Sequence, residues 1–252
     1  RHRVFEAACP NVPRRLGRRV GPLPMAGSVE RQAEADVDVW RAAIPGSCGP
    51  SNDELSSEEL RRLGRRLGEP DRRRVLAAWT AQRHILARYL GCAPRDVPLE
   101  RDPRGRPFLR TDAPVPHHSM AHSGDWMMLA VSRSAPVGLD LERIDPSIDA
   151  DRLAARFFGP DEATALSSLP HSQRAVAFFR AWTEKEAYLK GTGGGVPSRL
   201  RSVHIHPRDG GRVIGEWSLH PVDAPPGYAA SLAVQAPSVR IRTVEFGGNG
   251  EA

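Results

Sequence analysis

The chain has 252 residues, 40% hydrophobic and 26% charged, a composition that describes a soluble globular protein with a sizeable core in one domain or two small ones. No apolar run approaches the roughly 20 residues of a membrane span, and three cysteines (Cys9, Cys48, Cys92) without metal-type spacing fit a reducing cytoplasm better than a disulfide framework. A net charge of +6 and a pI near 9.9 point to a polyanionic partner, which leaves nucleic acid, a nucleotide-like cofactor and an acidic protein open.

In chain order, residues 1–35 are rich in Arg, Pro and Gly without periodicity and read as a basic, disordered tail. Its start lacks the apolar segment of a secretory signal, and Met25 is a candidate for the true start. From Asp36, ADVDVWRAAI alternates as a strand. SSEELRRLGRRL opens with a Ser cap and early Glu, the mark of a helix start. A longer helix runs from Pro70 to Gly91, with Val75, Leu76, Trp79, Ile85, Leu86, Tyr89 and Leu90 on its core face. A turn at DPRGRP, a proline-rich loop and a strand in DWMMLAVSR follow. VGLDLERI reads as a strand, Ala150–Phe158 and Gln173–Lys190 as helices. Beyond the glycine loop GTGGGVP come strands in VHIHP, GRVIGEWSLH, GYAASLAVQ and VRIRTVEF. LAVSRSAPVGLDLE, from Leu129, echoes LAVQAPSVRIRTVE, from Leu232, as two copies of one design would.

Chemistry concentrates in three places. In VGLDLERI, Asp140 and Glu142 stand two apart and share one face of the strand, with Leu139 and Leu141 on the other. Carboxylates so close repel unless a cation lies between them, so the pair reads either as an edge strand neutralised by Arg143 or as a site for a hard divalent ion. WTEKEAYLKG holds both lysines of a chain whose other basic residues are all arginine, Lys185 and Lys190. Lys acts on phosphate as a compact point charge, whereas Arg is a planar fork. Glu186 and Lys190, four apart on one helix face, read as a surface ion pair or as a third metal ligand beside a phosphate-binding ammonium. In HHSMAHSGDW, His118 and His122 have helical zinc spacing. Pro114 and Pro116 disfavour a helix there, so an HSG turn presenting His122 to an anion is the better reading.

Taken together, VGLD-L-E followed by W-T-E-K-E-A-Y-L-K resembles the two-part signature of 4′-phosphopantetheinyl transferases of the larger, Sfp-like class. GRP at Gly105–Pro107 resembles that family's GKP element, and AHSGDW its SHSGD element with Ala121 in place of serine. The resemblance implies an α+β fold of two similar halves related by a pseudo-twofold, here 36–134 and 135–246 with a tail at 247–252, and coenzyme A in the cleft between them. It places Mg2+ on Asp140, Glu142 and Glu186, and coenzyme phosphates on Lys185, Lys190, His122 and Arg106. Thr80 is the expected coenzyme contact of the first half, where Arg65, Arg66 or Arg72–Arg74 stand in for missing lysines. The implied reaction transfers phosphopantetheine to a serine of an acyl or peptidyl carrier protein and releases adenosine 3′,5′-bisphosphate, with Glu186 and Lys190 catalytic. A cytoplasmic monomer that binds neither membrane nor nucleic acid is expected. The alternatives are a basic nucleic-acid-binding protein, and a magnesium-dependent phosphoester hydrolase using the same acids.

Overall fold

A computed structural model describes residues 34–44, 52–63, 68–102, 105–111, 115–194, 197–205 and 212–247. The expected basic tail lies outside them except for residues 34 and 35, as does the closing tail beyond Gly247. Strand β1 (Ala35–Ala43) alternates as its sequence demands: Trp40 and Ala42 are buried on one side, Ala35, Val37 and Val39 on the other. Helix α1 (Ser57–Leu63) is capped reciprocally, Ser56 N–H donating to Glu59 and Glu59 N–H to the Ser56 hydroxyl. Helix α2 (Glu69–Leu90) starts with Pro70 in its first turn and stops at Gly91, whose φ of 67° is the left-handed cap only glycine takes freely.

A small hairpin of β2 (Leu99–Arg101) and β3 (Pro107–Leu109) carries the GRP segment. The histidine-rich stretch is a strand, β4 (His117–Ser123), joined by a two-residue Gly124–Asp125 turn to β5 (Trp126–Ser132). The sequence reading had a turn there without the strand before it, because the prolines and histidines hide the alternation. Next come β6 (Val137–Arg143), α3 (Ala150–Phe157), α4 (Pro160–Ser167) and α5 (His171–Thr192). Helix α4 was missed although Gly159, Pro160 and Glu162 mark its start; eight residues carry too little periodicity. Residues 203–205 of VHIHP form no strand, and the rest of that segment lies outside the described residues. Strands β7 (Arg212–Ile214), β8 (Trp217–Pro221), β9 (Tyr228–Val234) and β10 (Val239–Glu245) complete the described chain.

Two four-stranded sheets result, ordered β10-β1-β5-β4 and β6-β9-β8-β7. Helix α2 covers the outer face of the first through Ala77, Ala78, Ala81, Ile85 and Leu86 against Trp40, Met127 and Leu129. Helix α5 covers the second through Ala187 and Leu189 against Leu219 and Ala233. Between the sheets lies a third apolar layer in which Val37, Val39 and Met128 meet Leu139, Leu141 and Leu232. The stack is helix, sheet, sheet, helix.

The halves are not continuous in sequence. β5 in the first sheet leads into β6 of the second, and β9 of the second leads into β10, which returns to lie parallel to β1. The two crossovers touch, Gln235 N–H donating to the Pro136 carbonyl at 3.0 Å. A boundary at 134/135 therefore misassigns the last strand. The sequence echo itself is one residue out of step with the fold: Leu129 packs under α2, whereas Leu232 faces the other sheet.

Candidate active site

The edge strands of the two sheets, β4 and β6, lie side by side, and serine side chains stitch them. Ser119 Oγ accepts from Leu139 N–H at 2.9 Å, and Ser123 Oγ accepts from Arg143 N–H at 3.0 Å while donating to Glu142 Oε2 at 2.9 Å. Period-two alternation then turns Asp140 and Glu142 toward α5, as their spacing required. Two glycines let the helix come close. A Cβ at Gly138 would lie 2.0 Å from the Ala187 carbonyl oxygen and 2.4 Å from Gly191 N, and one at Gly191 would lie 2.4 Å from the Trp217 ring. Trp182, against Phe157 and Phe178, anchors the same helix.

This contact brings Glu186 and Lys190 over the acidic strand. Lys190 Nζ sits 2.6 Å from Asp140 Oδ1, and the carboxyl of Asp140 is 6% exposed. Burial, and then the neighbouring Asp140 charge, hold Glu142 and Glu186 above the usual carboxylate range; Ser123 and Lys190 oppose this at Glu142, Lys190 at Glu186. Asp140 Oδ2 is buried with no partner among the described residues. Among those residues, no group of three or more acids, histidines or cysteines is gathered tightly enough to hold a metal ion directly. The donor chemistry nonetheless fits a hard cation: the Asp140 charge raises the proton affinity of Glu142 and Glu186, and one Asp140 oxygen lacks a partner among the described residues.

A cavity of about 270 Å³ opens beside this cluster, lined by Arg106, His118, Met120, Glu186, Leu189 and Lys190. Arg106 reaches across from the GRP hairpin, its guanidinium 3.4 Å from the Gly191 carbonyl. His122, on β4, stays exposed. The protein crowding its ring, then Lys190 and Arg101, hold its pKa below the ordinary imidazole value.

Two expected contacts are not in the cluster. Lys185 is fully buried, its ammonium 2.6 Å from Glu162 and bonded to the carbonyls of Leu200 and Val203. With its three protons spent it has none for a phosphate. Five residues from Lys190 on a helix is a turn of about 140°, so the two lysines cannot share a face. Thr80 is 1% exposed and is not among the residues lining the cavity. Of the arginines weighed as lysine substitutes, Arg74 is paired with Asp71 and Asp125, and Arg65 and Arg66 lie outside the described residues. The sequence reading also missed Ser123, which bonds to Glu142, Glu162, which holds Lys185 away from the cluster, and Arg101, whose charge acts on His122. Arg101 stacks on Trp79, and its Nε and Nη2 have no partner among the described residues. A serine directly after His122 was the available signal for the first.

A family model described as the 4′-phosphopantetheinyl transferase superfamily matches residues 136–233, and one described as 4′-phosphopantetheinyl transferase, N-terminal, matches 51–134. The chain is 38% identical to the 4′-phosphopantetheinyl transferase HetI of Nostoc sp., over 68% of this chain and 73% of that protein. A putative 4′-phosphopantetheinyl transferase of Synechocystis sp. is 38% identical over 59% of this chain and 61% of its own length. The 4′-phosphopantetheinyl transferase Sfp of Bacillus subtilis is 25% identical over 73% and 83%.

Proposed function

Because the chain belongs to the 4′-phosphopantetheinyl transferase superfamily, we propose that it moves the phosphopantetheine arm of coenzyme A onto a serine hydroxyl of an acyl or peptidyl carrier protein. The serine oxygen forms a bond to the phosphorus that carries pantetheine. The bond from that phosphorus to the bridging pyrophosphate oxygen breaks, and adenosine 3′,5′-bisphosphate leaves with the electron pair. The observation that carries the reading is the meeting of Asp140 and Glu142 from β6 with Glu186 and Lys190 from α5, beside a cavity walled by Arg106.

Glu186, which faces the cavity beside Lys190, takes the serine proton directly or through a water it orients. Lys190 and Arg106 hold the pyrophosphate by fixed positive charge, and His122, on which the Lys190 charge acts, gives a further phosphate contact. Asp140, Glu142 and Glu186 would hold Mg2+, which supplies charge neutralisation for the breaking phosphoanhydride. Ser123 orients Glu142 through its hydroxyl.

Mass spectrometry of apo carrier proteins incubated with this protein, coenzyme A and Mg2+ tests the reading. The expected result is a mass gain equal to the 4′-phosphopantetheine arm on at least one carrier, lost when EDTA is added. Cleavage of the coenzyme with every carrier unmodified would mark a hydrolase instead and overturn it.

A further inference from the structure

Among the polar side chains walling the cavity beside Lys190, His118 has no use in the proposed transfer and a ring nitrogen without a partner among the described residues. His118, on β4, is 9% exposed and lines the cavity. Its ring bonds to the backbone of Pro116, whose only polar group is a carbonyl, so the ring nitrogen engaged there carries the proton. The other nitrogen, Nε2, has no partner among the described residues and presents a lone pair. Burial first, and then the charges of Arg106 and His117, push the imidazole pKa down to about 4, so the ring is neutral at physiological pH. A buried acceptor without a donor is uncommon and calls for one.

The rest of the wall narrows what could supply that donor. Arg106 and Lys190 provide two cations, Asp102 and Glu186 two carboxylates, Met120 and Leu189 two apolar surfaces. At about 270 Å³ the space lies just under the roughly 300 Å³ where small-molecule sites begin, so it suits one end of a coenzyme and not the whole. The pantetheine arm must reach a macromolecular acceptor and therefore faces open solvent. The half that leaves, a nucleotide with phosphates, is the half a recess bearing Arg106 and Lys190 can keep.

Resting on the transferase reading, we propose that His118 is a specificity-determining residue: its Nε2 accepts a hydrogen bond from the exocyclic amine of a 6-aminopurine nucleotide whose phosphates lie toward Arg106 and Lys190. A hypoxanthine base carries a carbonyl oxygen at the same position and would set two acceptors against each other. Leaving a buried polar group unpaired in this way lowers affinity by about tenfold or more.

Isothermal titration of the full chain with adenosine 3′,5′-bisphosphate and with inosine 3′,5′-bisphosphate separates the outcomes. The wild-type protein is expected to prefer the adenine ligand by about tenfold or more. His118→Phe should bind the two alike, and His118→Gln, which keeps an acceptor, should recover part of the preference. Equal affinities in the wild type, or an undiminished preference in His118→Phe with its near-ultraviolet circular dichroism unchanged, would overturn the proposal while leaving the transferase reading intact. If neither bisphosphate bound the wild type, both readings would fall. The ratio in the wild type decides even if a variant does not fold.

Discussion

Helices α2 and α5 each have 22 residues and each end on a left-handed glycine, Gly91 and Gly193. Each also buries one cation. Arg83 bonds to Glu59 at 2.7 Å and to the carbonyls of Pro94 and Val97; Lys185 bonds to Glu162 at 2.6 Å and to those of Leu200 and Val203. Glu59 and Glu162 each close the start of the short helix that bears them, accepting from the backbone N–H of Ser56 and Gly159. The same clamp therefore occurs twice, once per half. Its repetition says what Lys185 does: it ties α5 to α4 and to the loop carrying Val203, as Arg83 ties α2 to its own neighbours.

Five residues past the clamp the halves part. Arg88 lies 5.4 Å over the Trp40 ring, where β1 faces α2, whereas Lys190 lies against Asp140, where β6 faces α5. The residue after the clamp cation is His84, paired with Glu54, in one half and Glu186 in the other. The first half thus keeps the architecture with an aromatic where the second has an acid. The carboxylates of the candidate site therefore come from the second half, while Arg106 of the first half reaches the same cavity.

The largest expected effect separates the clamp from the chemistry. Glu186→Gln should lower transfer by about 100-fold or more with the circular dichroism spectrum unchanged, while His84→Gln in the first half should leave the rate near the wild-type value. Near-normal turnover in Glu186→Gln would remove that residue from both proposed duties. At the clamps, Lys185→Met and Arg83→Met each strand a buried glutamate and should cost about 3–5 kcal/mol in urea unfolding. The double variant Glu162→Gln/Lys185→Met should recover part of the loss. A Lys185→Met protein of normal stability but weakened coenzyme binding would return Lys185 to the site. Gly138→Ala drives a methyl into the α5 backbone and should cost about 1–3 kcal/mol, with lowered activity because Glu186 and Lys190 ride on that helix.

The smallest effect is in pH dependence, where the halves should have opposite signs. Glu142 and Glu186 hold their protons more tightly folded than unfolded, through burial and the Asp140 charge. Stability should therefore fall as pH rises from the unperturbed 4.5 through their raised folded values. Glu142→Gln should flatten that decline in thermal melts recorded without metal. Asp38 in the first half is also raised by burial, but hydrogen bonds from Arg242 and Tyr89 outweigh this and hold it low. Its contribution is present above the unperturbed 3.8 and is lost as pH falls through the lowered value. Asp38→Asn should remove that acid-side loss.

Much of this was legible along the chain. Period two alone turned Asp140 and Glu142 to one face and Leu139 and Leu141 to the other, and Pro70 and Gly91 bracketed α2 within a residue. The spacing of Glu186 and Lys190 put them on one face of α5. Such patterns are local, and local backbone geometry enforces them whatever the rest of the chain does. What the chain could not disclose was which surface each face would meet. Lys185 and Lys190 look equivalent as letters; only the packing of α5 between α4 and β6 sends one into a buried clamp and the other to Asp140. Likewise β10 reads as one more strand of the second half until its parallel pairing with β1 carries it home to the first. Partner choice depends on contacts between residues far apart in the chain, and those are decided when the two sheets close on their shared core.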